Sequence, residues 1–153
     1  MATAAGPART DTPDMPGIAC PTLVLHGLDD VALDDRVVEY LPAWAESDPR
    51  KAEVTLRQLL VHRSGLPPFR RWYFEIEGME AYKEAAANEP LEADPGSRTA
   101  YSDIGIMTLA WVIEEISGQS LDDFLQDRLW DPLGMLETRY NPESTLRPRI
   151  AAT

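Results

Sequence analysis

The stretch Val54-Thr55-Leu56-Arg57-Gln58-Leu59-Leu60-Val61-His62-Arg63-Ser64-Gly65-Leu66-Pro67 decides how the rest of the chain is read. Thr55 and Gln58 have the spacing of a reciprocal helix cap. The threonine hydroxyl accepts from the amide three residues on, and the glutamine side chain reaches back to the threonine amide. Leu56, Leu59 and Leu60 then give the helix one apolar face. Gly65, following Ser64, suits a left-handed C-terminal cap, and Pro67-Pro68 prevents continuation. A short helix with strong start and stop signals is expected here, followed by the aromatic, basic and then acidic segment 69–77.

Upstream, Val37, Tyr40, Leu41 and Trp44 recur at helical spacing behind Asp34 and Asp35, which predicts a helix from Leu33 whose length Pro42 limits. Residues 18–26 form a short apolar run with the look of a buried strand. Residues 1–17 are rich in Ala, Pro, Thr and Asp and read as a disordered tail. Downstream, residues 79–87 predict a helix and 90–100 a loop turning at Pro95-Gly96. Ser102 can cap the next helix, with Asp103 favourable in its first turn. Ile104, Met107, Trp111 and Val112 share one face of that helix, and Ile106, Leu109, Ile113 and Ile116 a neighbouring one. So wide an apolar surface predicts burial from several sides. Gly118 ends this helix and Ser120 opens another, with Leu121, Phe124, Leu125 and Leu129 inward. Residues 131–135 make a turn, and no pattern is visible from Asn141. The domain reading is a tail (1–17), a partial domain (18–142) and an irregular tail (143–153). One strand followed mainly by helices is the pattern of part of an α+β enzyme.

The 153 residues are enough for one ordinary domain. With 14 Lys+Arg against 26 Asp+Glu, the net charge is -12, which argues against nucleic acid and against an anionic membrane surface as partners. A single cysteine, Cys20, excludes an internal disulfide. One Cys and two His in no ligand spacing give no support for a metal, and no cofactor is expected. No signal peptide or membrane-spanning stretch is readable, so the reading defaults to the cytoplasm.

Five stretches occur in one order: Leu33-Asp34-Asp35-Arg36-Val37 with Tyr40-Leu41-Pro42; the stretch from Val54 to Pro67; Pro95-Gly96-Ser97 leading into Tyr101-Ser102-Asp103-Ile104-Gly105; Gly118 with Ser120-Leu121; and Asp131-Pro132-Leu133-Gly134-Met135. Together they resemble the β-lactamase-related family, which includes class C β-lactamases, D-Ala-D-Ala carboxypeptidases (penicillin-binding-protein-like enzymes) and related esterases. The resemblance covers about residues 30–142. It implies an α+β parent fold of the β-lactamase/transpeptidase kind, of which this chain, mostly α, supplies the helical region.

The resemblance also implies serine acyl transfer on a small-molecule or peptide substrate. A serine in S-x-x-K attacks a lactam, amide or ester carbonyl, the lysine helps deprotonate it, and backbone amides hold the oxyanion. A second motif, Y-x-N or S-x-N, faces the cleft, and a K-T-G-like strand lies near the C-terminus. Tyr101-Ser102-Asp103 matches the second motif. On that match Tyr101 is the catalytic-position tyrosine, Asp103 a catalytic-site partner and Ser102 a substrate contact. Asp103 stands where Asn is common, and a carboxylate accepts hydrogen bonds without donating. No S-x-x-K and no K-T-G occurs in these residues: Ser47, Ser64, Ser97, Ser102, Ser117, Ser120 and Ser144 all lack a lysine three positions on, and Lys51 and Lys83 are the only lysines. Groups of such a site act as a unit, so no turnover is expected from this chain by itself.

Other residues weigh less. Residues 69–74 have the place of a loop that borders the family's site, with local packing as the plainer reading. Arg70 and Arg71 could meet a carboxylate or be a solvated pair. His62 reads as a helix-end residue. Residues 20–30 also resemble a late strand of α/β-hydrolases with Asp30 as triad acid, although no G-x-S-x-G accompanies it. Two functional readings stand: a non-catalytic piece of a serine hydrolase, with exposed apolar surface through which it would self-associate, or a helical binding module that reuses the same core.

Overall fold

Thr55 and Gln58 form the expected cap in both directions. Thr55 Oγ1 accepts from Gln58 N at 3.2 Å and Gln58 Oε1 accepts from Thr55 N at 3.1 Å, opening helix α1 (Leu56–Leu60). These come from a computed structural model that describes residues 31–150. The tail 1–17, the strand expected over 18–26, Cys20, His26 and Asp30 lie outside the described residues.

Three more α-helices follow: α2 (Met79–Asn88), α3 (Asp103–Ser117) and α4 (Leu121–Leu125). Both serines predicted as caps act as such: Ser102 Oγ accepts from Gly105 N at 3.1 Å, and Ser120 Oγ from Asp123 N at 3.4 Å. Gly118 closes α3 at φ +66°. Among the described residues there is no strand, only an isolated antiparallel bridge between Arg36 and Thr55.

α3 is the core helix. Ile104, Thr108, Leu109, Trp111, Val112 and Ile113 are buried, and α3 packs against Leu56 and Leu59 of α1 and Phe124 of α4 within one apolar cluster. At roughly 1.5–3 kcal/mol for each large apolar side chain removed from water, this cluster is the main favourable term in the fold.

The helix predicted from Leu33 is absent. Two short 3-10 turns, Val37–Glu39 and Pro42–Ala45, stand in its place. Pro42 has no N–H to continue a helix and holds Leu41 outside the helical region, at φ -124° and ψ 76°. The backbone groups upstream turn outward to α1 instead: Val37 N donates to Val54 O, Leu56 N to Asp35 O and Arg57 N to Leu33 O. The Asp34 carboxylate receives both Arg57 Nε and Nη2, and Tyr40 Oη donates to Asp35 Oδ2 at 2.6 Å. The first family-like stretch is thus a collar around the start of the second.

Gly65 does not cap α1. The helix ends in a Schellman turn, with Arg63 N donating to Gln58 O and His62 N to Leu59 O. The residue in the left-handed region is His62, at φ +56°. The segment 143–153, read as irregular, contains a 3-10 turn over Ser144–Arg149. After α4 the chain widens into a single π-turn, Gln126–Trp130, before Gly134 stops it at φ +69°.

Two buried charged groups tie the segment ahead of α1 to the end of α2. Lys51 is fully buried; its Nζ donates to Ala86 O at 2.8 Å and Ala87 O at 2.7 Å and sits 4.8 Å above the Trp44 ring. Asp48 accepts from the Arg50 guanidinium, Arg50 N and Leu91 N. The Arg50 guanidinium beside it holds its carboxyl well below the usual range.

Candidate active site

Residues 62–68, which leave α1, and residues 92–103, which lead into α3, lie side by side. Glu92 N donates to Gly65 O, Gly96 N to Arg63 O, Ala100 N to His62 O and Asp103 N to Pro68 O, at 2.7–2.9 Å. Arg63 Nη2 also donates to Gly96 O. Gly65 permits this approach: a Cβ there would stand 2.1 Å from Ala93 O, and its φ is +86°. Two motifs that are some thirty residues apart in sequence are therefore one rigid ledge.

Tyr101 projects from the end of that ledge and is 64% exposed. Its ring meets the His62 imidazole at 4.5 Å between centroids, tilted by 42°. Ser102, next to it, is only 1% exposed. Its hydroxyl donates to Pro67 O at 2.7 Å and accepts from Gly105 N, and its amide donates to His62 Nδ1 at 3.3 Å. The Ser102 hydroxyl thus fastens the motif to the fold and is turned away from solvent. Asp103 begins α3 with an exposed side chain, where a carboxylate interacts favourably with the helix N-terminus. Tyr101 and Asp103 are both exposed, and the buried Ser102 is the anchor between them.

The remaining candidates divide. Arg70 pairs with Glu89 at 2.7 Å and Glu92 at 3.4 Å, which occupies its guanidinium. In the segment 69–74, Trp72 packs edge-on to Tyr82, with centroids 6.0 Å apart, while Phe69, Tyr73 and Phe74 are exposed. Pro67 and Pro68, which precede this segment, carry the carbonyls bound by Ser102 and Asp103, so it starts at the rim of the candidate site. His62 was legible only as a helix end. Its contact with Tyr101 depends on the left-handed turn, which no residue type at that position announces. Among the described residues there is no group of three or more His, Cys, Asp or Glu arranged to hold a metal ion.

A chemical role is open to Tyr101 and to little else here. A solvent-facing phenol on a fixed backbone can accept and return a proton to a group placed opposite it. The described residues provide no such group within the motif.

The family profile described as "Beta-lactamase" matches residues 22–153. That match takes in most of the segment that was also compared with an α/β-hydrolase strand. The penicillin-binding protein 4 of Amycolatopsis lactamdurans is 33% identical over 139 residues, which is 85% of this chain and 35% of that protein. Among solved structures, a β-lactamase/D-alanine carboxypeptidase from Yersinia pestis aligns with TM-score 0.68 at 24% identity, over 86% of this chain and 41% of its own. A class C β-lactamase aligns with TM-score 0.71 at 20% identity, over 86% and 36%. The chain spans about a third of the length of the curated relatives it matches. The described residues have the β-lactamase/transpeptidase-like fold in its mostly helical part, and no described helix is long and apolar enough to cross a membrane. The ordered motifs, the ledge they build and the match over most of the sequence lead to one conclusion: the chain belongs to the β-lactamase family.

Proposed function

We propose that these residues are the helical segment of a serine acyl hydrolase whose substrates are D-alanyl peptides, β-lactams or related esters, and that Tyr101 is its acid–base residue. The observation that carries this reading is the exposed Tyr101 phenol, held between a buried, doubly bonded Ser102 and the His62 ring. Asp103 serves beside it as an acceptor toward a cationic lysine, and Ser102 serves as the anchor of the motif. The nucleophilic serine, its lysine and the oxyanion strand come from outside these 153 residues, because no S-x-x-K or K-T-G occurs within them.

The 153-residue chain by itself is therefore expected to show no saturable hydrolysis of nitrocefin or p-nitrophenyl butyrate. Saturable turnover by this chain that Tyr101→Phe abolishes would overturn the division of labour proposed here.

A further inference from the structure

His62 carries a side chain where glycine would sit without strain, and that side chain meets Tyr101. Its φ of +56° is one of two positive values at non-glycine positions among the described residues. Such conformations persist where the surroundings over-determine them, and they concentrate at functional sites. Here the backbone is held on both sides: His62 N donates to Leu59 O at 3.1 Å, and His62 O accepts from Ala100 N at 2.9 Å. The left-handed turn places the imidazole against residues 101 and 102. Its ring centroid lies 4.5 Å from that of Tyr101, and its Nδ1 lies 3.3 Å from Ser102 N.

A backbone amide can only donate, so Nδ1 is the nitrogen without a proton, and the neutral ring carries its hydrogen on Nε2. The Ser102 amide thereby sets both the tautomer and the ring plane. An exposed tyrosine side chain otherwise samples several rotamers. Tyr101 instead has the His62 ring against one side, 4.5 Å between centroids.

We propose that His62 is a positioning residue for Tyr101: an imidazole locked by the Ser102 amide that holds the phenol in one rotamer. This inference rests on the reading of Tyr101 as the acid–base group. Pre-organised geometry of this kind determines how well a reacting group is presented.

The test is NMR on the unaltered chain with ¹⁵N-labelled histidine and selectively labelled tyrosine, assigned with His26→Gln and Tyr101→Phe. In its neutral form His62 is expected as the Nε2–H tautomer, with Nδ1 correlated to the Ser102 amide proton. Tyr101 is expected in one χ1 rotamer, with ring protons shifted by the imidazole ring current. His62→Asn tolerates the left-handed turn and keeps an acceptor, so it should preserve slow exchange of the Ser102 amide while Tyr101 averages over rotamers. His62→Phe should keep Tyr101 ordered and lose the amide protection. An Nδ1–H tautomer, or rotamer averaging of Tyr101 in the unaltered chain, would overturn the proposal whether or not the variants fold. These readouts do not involve turnover. If Tyr101 proves irrelevant to acyl transfer, the tautomer and the rotamer stand unchanged, so the two claims fail separately.

Discussion

Gly65→Ala is expected to destabilise the chain by roughly 3–5 kcal/mol, read as a fall in the urea midpoint with little change in slope. Two effects add. An alanine at φ +86° pays the left-handed penalty of about 1–2 kcal/mol. Its Cβ would also stand 2.1 Å from Ala93 O, a backbone atom that cannot rotate aside. Relief requires residues 62–68 and 92–103 to separate, which breaks the hydrogen bonds that carry Tyr101. The same substitution should therefore speed exchange of the Glu92, Gly96 and Ala100 amides ahead of those inside α3. Gly118→Ala is the control. It has a similar φ, +66°, but a Cβ there meets nothing within 4 Å, so it should cost only the left-handed penalty of about 1–2 kcal/mol.

Lys51→Ala is expected to cost about 3–4 kcal/mol. It removes the donor to Ala86 O and Ala87 O at the end of α2 and leaves a cavity beside Trp44. Lys51 also gives the chain a characteristic alkaline response. Burial pushes its ammonium down from 10.5 to about 8, against the opposing pull of Asp48 and Glu89. Between those two values the unfolded chain binds a proton that the folded chain has released. Stability therefore rises with pH from about 8 to 10.5, and the penalty of the buried charge is fully present below that window. At about 1.4 kcal/mol per pKa unit, the gain is at most about 3 kcal/mol. Lys51→Met, measured alongside by urea unfolding from pH 7 to 10.5, should lack this rise. An identical pH slope in the two chains would show that the amine does not titrate inside the fold.

What the sequence disclosed was mostly local. Caps at Thr55, Ser102 and Ser120 depend on residues three positions apart, and the stop at Gly118 depends on one residue, so these were readable and held. The wide apolar surface of α3 also announced its burial. The helix expected from Leu33 failed because its periodicity was real while its backbone partners lay elsewhere: residues 33–37 bond to residues 54–57, and Pro42 breaks the remainder. Gly65 was rightly singled out for the wrong reason. Its glycine serves a close approach to Ala93 that only the folded chain creates, while His62 takes the left-handed turn. At the candidate site, family resemblance points to Tyr101 and Asp103, and the fold leaves both exposed. The burial of Ser102 and the His62 contact were not legible, because both depend on two distant segments lying against each other. The burial of Lys51 was not legible either, since nothing near it in sequence shows that the end of α2 covers it.

The most direct test of Tyr101 as the acid–base residue is a graft. Residues 31–150 would replace the matching stretch of the Amycolatopsis lactamdurans penicillin-binding protein 4, and covalent labelling by a fluorescent penicillin would be timed. The expected result is labelling by the graft, slowed about 100-fold or more by Tyr101→Phe and unaffected by Tyr140→Phe, a control at an exposed tyrosine outside the motif. A graft that labels equally fast with and without the Tyr101 hydroxyl would contradict the account.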